Sequence, residues 1–520
     1  MEKITYASLG SLGDDFHQAF EAGLEHLQGR LGRTHPIFLG GRKKTAKAGV
    51  FPDTSPIDTR IELGRFQSAG REETARAVAT AKAALRDWRD LGWEQRVAFL
   101  RKAAELMTER QFRLAALLTM EVGKNRFEAI AEVSESVDLI LYYCRQMELH
   151  QGFTMAMGGQ GTEVTRSVLK PYGVWAIVSP FNFPLALATG MAAAALVAGN
   201  TIVLKPASDA PWTGLMLYEI LHEAGLPVGV VSILTGSGSE IGEEFIANPD
   251  VAGLAFTGSR AVGEALLARF GRHRPCIAEM GGKNPTVVMP SANLDDAAEG
   301  IVRAAFGFGG QKCSACSRLY VHTRVAAPLL DRLVDKTRAL VIGDPTRRET
   351  FLGPLINAAA VARYEAAIKL AKKEGRLLCG GKRPSGDGRE HGHYVEPVIA
   401  DRLPTGSRLF REELFVPLLV VAEVRSLAEA IQRCNDSDYG LTAGIFTEEE
   451  HEREEFFAEI EAGVVYANRR GGATTGAWPG VQSFGGWKHS GSTGRNALGW
   501  YYVPQFMREQ SQTVMRRTAS

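Results

Sequence analysis

The sequence predicts an α/β fold with two parallel-sheet domains and a small β element. Short apolar strands alternate with helices between Gly173 and Gly282, and a second alternating stretch runs from Pro285 to about Arg470. Strands separated by helical segments imply parallel sheets joined by crossover helices. A chain of 520 residues also exceeds one typical core, so more than one domain is expected.

The first part reads as a helical lead-in. Glu72–Trp88, Glu94–Thr119 and Glu128–Glu148 carry apolar residues at helical spacing with charges between them. The first set of strands is Val174–Val178, Thr201–Leu204, Val230–Leu234, Gly253–Phe256 and Cys276–Ala278, with helices starting near Thr213, Ser239 and Arg260. The second set is Thr286–Met289, Arg318–Val321, Leu418–Val421 and Gly463–Ala467. No charge falls between Lys170 and Lys205, and Leu185–Leu204 has the length of a membrane span. Pro180 and Pro184 interrupt its entry and Gly199-Asn200 its exit, so strand, loop, buried helix (about Leu185–Val197), turn and strand is the reading. The polar tail Gln510–Val514 is β-compatible and is expected to pair with another subunit's sheet, giving a homo-oligomer, a dimer or larger.

Composition excludes several classes. A net charge of +1 gives no basic footprint for nucleic acid. The six cysteines are scattered, and a chain this long needs no disulfide staples. Met1–Phe16 lacks an apolar h-region, so a cytoplasmic, reducing setting is expected.

Chemistry concentrates at a few places. Gly307-Phe-Gly-Gly-Gln-Lys-Cys-Ser-Ala-Cys-Ser-Arg318 presents Cys313 after a glycine-rich approach, as a thiol nucleophile requires. Cys313 and Cys316 also form a Cys-x-x-Cys, but no second pair or His cluster completes a zinc set, and a buried structural cysteine remains an alternative. Glu279 ends an apolar strand before Gly281-Gly282, where desolvation would lift its pKa towards that of a useful base; a solvated strand-end Glu is the plainer reading. Asn182, held in Ser179-Pro-Phe-Asn-Phe-Pro184, can aim an amide at an oxyanion or simply close an Asx-turn. Gly236-Ser-Gly-Ser-Glu-Ile-Gly242 nearly copies a dinucleotide fingerprint, and Phe256-Thr-Gly-Ser259 lies between strand and helix, where N–H groups receive phosphate.

In order and wording these segments resemble the aldehyde dehydrogenase superfamily. The shared words are Pro-Phe-Asn-Phe-Pro, Thr-Ile-Val-Leu-Lys-Pro, Phe-Thr-Gly-Ser, Glu-Met-Gly-Gly-Lys-Asn-Pro, Gly-Gln-Lys-Cys, Glu412-Glu-Leu-Phe-Val-Pro417 and Ser483-Phe-Gly-Gly-Trp-Lys-His-Ser-Gly491, spread over roughly Pro36 to Val514. The resemblance implies a variant Rossmann NAD(P)-binding domain (1–150 and 171–282), a catalytic domain (283–500) and an oligomerisation element (151–170 and 501–520). It makes Cys313 the nucleophile, Glu279 the base for the deacylating water, and Asn182 with the Cys313 N–H the oxyanion hole. Ser179, Pro180, Phe181, Lys205, Ser208, Gly238, Phe256, Thr257, Gly258, Ser259, Val262, Glu413 and Phe415 would hold NAD, with NADP tolerated because Ser208 lacks a carboxylate to repel a 2′-phosphate. No metal is implied.

Within that superfamily the chain is most similar to the L-glutamate γ-semialdehyde (1-pyrroline-5-carboxylate) dehydrogenases of proline catabolism. Met120-Glu-Val-Gly-Lys-Asn125, Cys313-Ser-Ala-Cys-Ser-Arg318 and Thr474-Thr-Gly-Ala477 carry the likeness. It implies that Ser314, Gly476 and Ala477 hold a substrate carboxylate while Phe183 and Phe484 wall its aliphatic part. The segment after Gly491 departs from that pattern, and Trp478 and Trp487 are expected to add bulk near the anchor. The competing functions are oxidation of another semialdehyde, CoA acylation, which the retained Glu279 opposes, and a catalytically silent binding protein.

Overall fold

The computed structural model describes residues 13–272, 274–472 and 477–516. A seven-stranded sheet takes the order Cys276–Glu279, Val251–Thr257, Val174–Val178, Thr201–Lys205, Val231–Ile233, Ile37–Leu39, Arg42–Lys44. Its first five strands are parallel, and the last two join antiparallel. The chain starts at Val174–Val178, moves outward to Val231–Ile233, then returns to the other side of its starting strand with Val251–Thr257. That reversal opens a crevice beyond the carboxyl ends of Val174–Val178 and Val251–Thr257, where ligands bind in such sheets.

A second seven-stranded sheet has the order Arg376–Cys379, Val398–Asp401, Leu418–Val424, Cys316–His322, Asn284–Val288, Thr442–Phe446, Val464–Ala467, parallel except at its first strand. Only Met280 to Lys283 separate the end of Cys276–Glu279 in the first sheet from the start of Asn284–Val288 in the second. The carboxyl end of one sheet therefore abuts the amino end of the other. Asn284 pairs there with Cys316, just past the cysteine loop.

Several expectations shift. The lead-in is only partly helical: Arg33–His35, Ile37–Leu39, Arg42–Lys44, Val50–Thr54 and Glu62–Gln67 precede the helix Arg71–Asp90. The single helix expected over Glu94–Thr119 is two, Trp93–Glu109 and Gln111–Val122, separated at Arg110 (φ −102°, ψ 11°). The tail strand Met507–Met515 finds its partner within its own chain, antiparallel to Glu163–Pro171, whose other edge takes Thr154–Ala156. The uncharged stretch holds the buried twelve-residue helix Ala186–Val197. No helix among the described residues is long and apolar enough to cross a membrane.

Candidate active site

One pocket, partly open to solvent, collects Glu279, Cys313, Ser314, Phe183, Thr257, Ala477 and Phe484. Its remaining wall comes from the helix Arg126–Leu149 (Glu135, Leu139, Tyr143), from Ala186, Leu187, Gly190 and Met191, and from Ala497, Leu498 and Tyr502. Of the expected substrate residues, Gly476 lies outside the described residues. Sequence reasoning missed Glu135, Tyr143 and Tyr502. No motif marks them, and a Glu and a Tyr inside an amphipathic helix carry no signal of facing a pocket.

The nucleophile loop is shaped by left-handed backbone. Phe308 (φ 50°), Gly309 (φ 65°) and Gly310 (φ 68°) lead into it, a run that two glycines make feasible. Lys312 turns away from the pocket and pairs with Glu128 of the helix Arg126–Leu149. A second buried pair, Lys124 with Glu132, lies nearby, and the Lys124 ammonium sits 3.6 Å from the centre of the Phe183 ring. The free Glu132 oxygen accepts the Leu185 and Ala186 N–H groups at 2.9 and 3.1 Å, tying this pair to the start of the pocket-lining helix. Cys316 faces elsewhere: its sulfur lies 3.2 Å from the Thr286 hydroxyl. Among the described residues no cluster of three metal-ligating side chains occurs.

Burial pushes the Cys313 thiol up to about 12, helped by the Glu413 and Glu279 carboxyls and opposed by the Ser314 and Cys313 N–H groups. Burial alone lifts Glu279 to about 8, and among the described residues its Oε2 has no hydrogen-bond partner. A carboxyl so placed is mostly protonated at neutral pH yet basic enough to take a proton from water. Asn182 is 4% exposed and is not among the residues that line the pocket, although the next residue, Phe183, walls it.

The crevice of the first sheet gathers the other expected residues. Ser179, Pro180 and Phe181 follow Val174–Val178, and Ser259 caps the helix Arg260–Arg269 with no side-chain cap and no acid in its first turn. A second helix, Gly238–Ala247, starts beside Lys205: a side chain at Gly238 would meet only the Lys205 Cε, at 4.0 Å, and one at Gly242 would meet nothing. Lys205 is buried, which lowers it to about 8, and donates to the Pro206 carbonyl at 3.0 Å. Ser208 donates to the Gly236 carbonyl at 3.2 Å. Across the crevice Glu413 accepts the Gly282 N–H at 3.1 Å, and burial raises it to about 7. Phe415, itself at φ 58°, meets Phe181 edge-on at 5.9 Å. Open space beside Gly238, two helix starts and a buried carboxylate suit a dinucleotide's diphosphate and ribose groups.

Three placements differ in detail. Phe256 is buried and packs against Gly258 and Gly263, whereas Val262 is exposed on its helix. Thr257, expected at the cofactor, reaches the pocket that holds Cys313. Trp478 is buried and donates its indole N–H to Asp138 at 2.5 Å, while Trp487 is half-exposed in a two-residue strand pairing Tyr439–Gly440. Neither tryptophan lines the pocket, so the expected bulk at the anchor is absent from its described walls.

A profile of the aldehyde dehydrogenase family matches residues 43–511. The 1-pyrroline-5-carboxylate dehydrogenase of Geobacillus thermodenitrificans is 37% identical over 487 residues, 92% of this chain and 93% of that protein. A solved Thermus 1-pyrroline-5-carboxylate dehydrogenase with bound NAD superposes with a TM-score of 0.92 at 34% identity, covering 97% of each chain. Proline utilization A of Bdellovibrio bacteriovorus superposes equally well (TM-score 0.92, 33% identity), with 96% of this chain matching 52% of that one. The chain belongs to the aldehyde dehydrogenase family.

Proposed function

We propose that the chain oxidises L-glutamate γ-semialdehyde, the open form of 1-pyrroline-5-carboxylate, to L-glutamate with NAD as acceptor and NADP tolerated. The observation that carries this reading is the pocket that gathers Cys313 and Glu279 together with Ser314, Ala477 and Glu135. The substrate bears an α-carboxylate and an α-ammonium. Ser314, Gly476 and Ala477 would receive the carboxylate through hydroxyl and N–H donors, and Glu135 is the acidic group suited to the ammonium. Phe183 and Phe484 would flank its methylenes.

Cys313 gives its thiol proton to solvent water and attacks the aldehyde carbon; the S–C bond forms as the C=O π bond opens, and Asn182 with the Cys313 N–H would hold the resulting oxyanion. Nicotinamide, when bound, supplies the hydride acceptor that turns this thiohemiacetal into a thioester. Ser179, Pro180, Phe181, Gly238, Phe256, Thr257, Gly258 and Val262 would line the cofactor, with Lys205 and Ser208 at the adenosine ribose, Ser259 at the diphosphate, Glu413 on the nicotinamide ribose and Phe415 beside its ring. Glu279 then takes a proton from water as it attacks the thioester, and the S–C bond breaks to release the acid. Residues 1–150 and 171–282 would form the cofactor domain and 283–500 the catalytic domain. Residues 151–170 and 501–520 would supply an oligomer contact, and six free cysteines suit a reducing cytoplasm.

The test is NADH production from a panel containing 1-pyrroline-5-carboxylate, succinic semialdehyde and simple alkyl aldehydes. The highest kcat/KM is expected for 1-pyrroline-5-carboxylate, and Glu135→Ala should erode that preference by raising KM for this substrate. A preference for alkyl aldehydes would overturn the substrate, and total rejection of NADP would overturn its tolerance.

A further inference from the structure

Asn284 opens the strand Asn284–Val288 and is 2% exposed. Its Nδ2 donates to the Cys313 carbonyl at 2.7 Å and to the Ala315 carbonyl at 3.0 Å, while its Oδ1 accepts the Thr442 N–H at 3.0 Å. A flipped amide would face two carbonyls with an oxygen, so the network fixes its orientation. The Ser314 carbonyl between those two accepts the Thr442 hydroxyl at 3.4 Å. Three consecutive carbonyls of the nucleophile loop are thus held by two side chains outside it. Gly282 leaves room for this grip: a Cβ there would stand 2.8 Å from the Cys313 carbonyl oxygen and 2.9 Å from the Asn284 Nδ2.

We infer that Asn284 is a positioning residue that aims the Ser314 N–H at the Cys313 sulfur by gripping the carbonyls on either side of Ser314. The warrant is peptide planarity. The Cys313 carbonyl and the Ser314 N–H belong to one rigid plane and point in opposite directions, so fixing the first fixes the second. The Ser314 and Cys313 N–H groups favour the thiolate against burial, and the neighbouring cation Lys312 pairs with Glu128. Thiolate character at Cys313 therefore depends on how its backbone is held. Asn284 also follows Glu279 by only five positions, so one short segment places the base and orients the nucleophile.

The inference rests on Cys313 being the nucleophile, and its test separates the two. Full-length wild type, Asn284→Ala and Asn284→Asp are treated with iodoacetamide across neutral to alkaline pH, and labelling of the Cys313 peptide is followed by mass spectrometry. Asn284→Asp keeps the size and, protonated, at most one of the two donors, which gives a second, milder loss beside Asn284→Ala. Labelling at neutral pH is expected to slow roughly tenfold, the effect of one hydrogen bond to a charged group. Its pH profile should move upward, and kcat should fall while KM for NAD holds. A profile coincident with wild type in both variants, or a slowing that merely tracks loss of folded protein in a thermal melt, overturns the inference. If wild-type enzyme labelled at Cys313 keeps full dehydrogenase activity, the nucleophile assignment fails instead.

Discussion

Replacing Glu279 by Gln keeps the side chain's shape and removes its ability to accept a proton. Because burial holds this carboxyl at about 8, only about a tenth is ionised at pH 7. Turnover limited by deacylation should therefore rise about tenfold per pH unit up to pH ~8 and then level. Glu279→Gln should lose roughly 100- to 10,000-fold in steady-state rate, the usual share of a general base. It should still give a rapid burst of one NADH per site, because acylation does not need a base for water. Stability should move the other way. The unfolded carboxyl ionises from about pH 4.5, whereas the folded one stays protonated to about 8. Between those values the unfolded state binds fewer protons, so wild-type stability falls as pH rises, by about 5 kcal/mol at most. Glu279→Gln lacks that loss, and its Tm should exceed that of wild type by a margin that opens from pH 5 to pH 8. Rapid-mixing absorbance and thermal melts at several pH values read both effects. A steady-state rate within threefold of wild type, or a Tm margin that does not change with pH, would refute the reasoning.

Two further outcomes follow from the packing. Glu128→Gln removes the carboxylate charge that faces the buried Lys312 ammonium, so it should cost about 3–5 kcal/mol and lower both Tm and kcat; an unchanged melt would count against an anchoring role for the pair. Gly281→Ala drives a methyl into the Glu413 carboxylate, so KM for NAD should rise several-fold with KM for the aldehyde less affected, measured by initial rates with each substrate varied.

The strands of the first sheet were legible because each is a short apolar run bounded by glycine, proline or polar residues, and the structure places all five within one or two residues of the expected ends. The strands before Arg71 were not. Arg33–His35 and Ile37–Leu39 have three residues each, too few to show a period, and their pairing is long-range: Phe38 lies against Ile233. The break at Arg110 lacks a glycine or proline, and the apolar repeat runs through it, so one helix was the natural reading. Seen alone, the tail showed only that it wants a partner strand; Glu163–Pro171 is polar and half-exposed, which hid its own candidacy. At the site, Cys313, Glu279, Ser314, Phe183 and Phe484 were readable from local wording and do share one pocket. Glu135 and Tyr502 reach it only through helix packing and the return of residues 497–502, and Asn284 acts through backbone carbonyls that no motif displays.

The most direct test of the account is the identity of the acylated residue. Glu279→Gln, mixed with NAD and 1-pyrroline-5-carboxylate and quenched after the burst, should carry a glutamyl thioester on the Cys313 peptide when mapped by mass spectrometry. Hydroxylamine should remove it, and Cys313→Ala should show neither adduct nor burst. An adduct on another residue, or a full NADH burst from Cys313→Ala, would contradict the account.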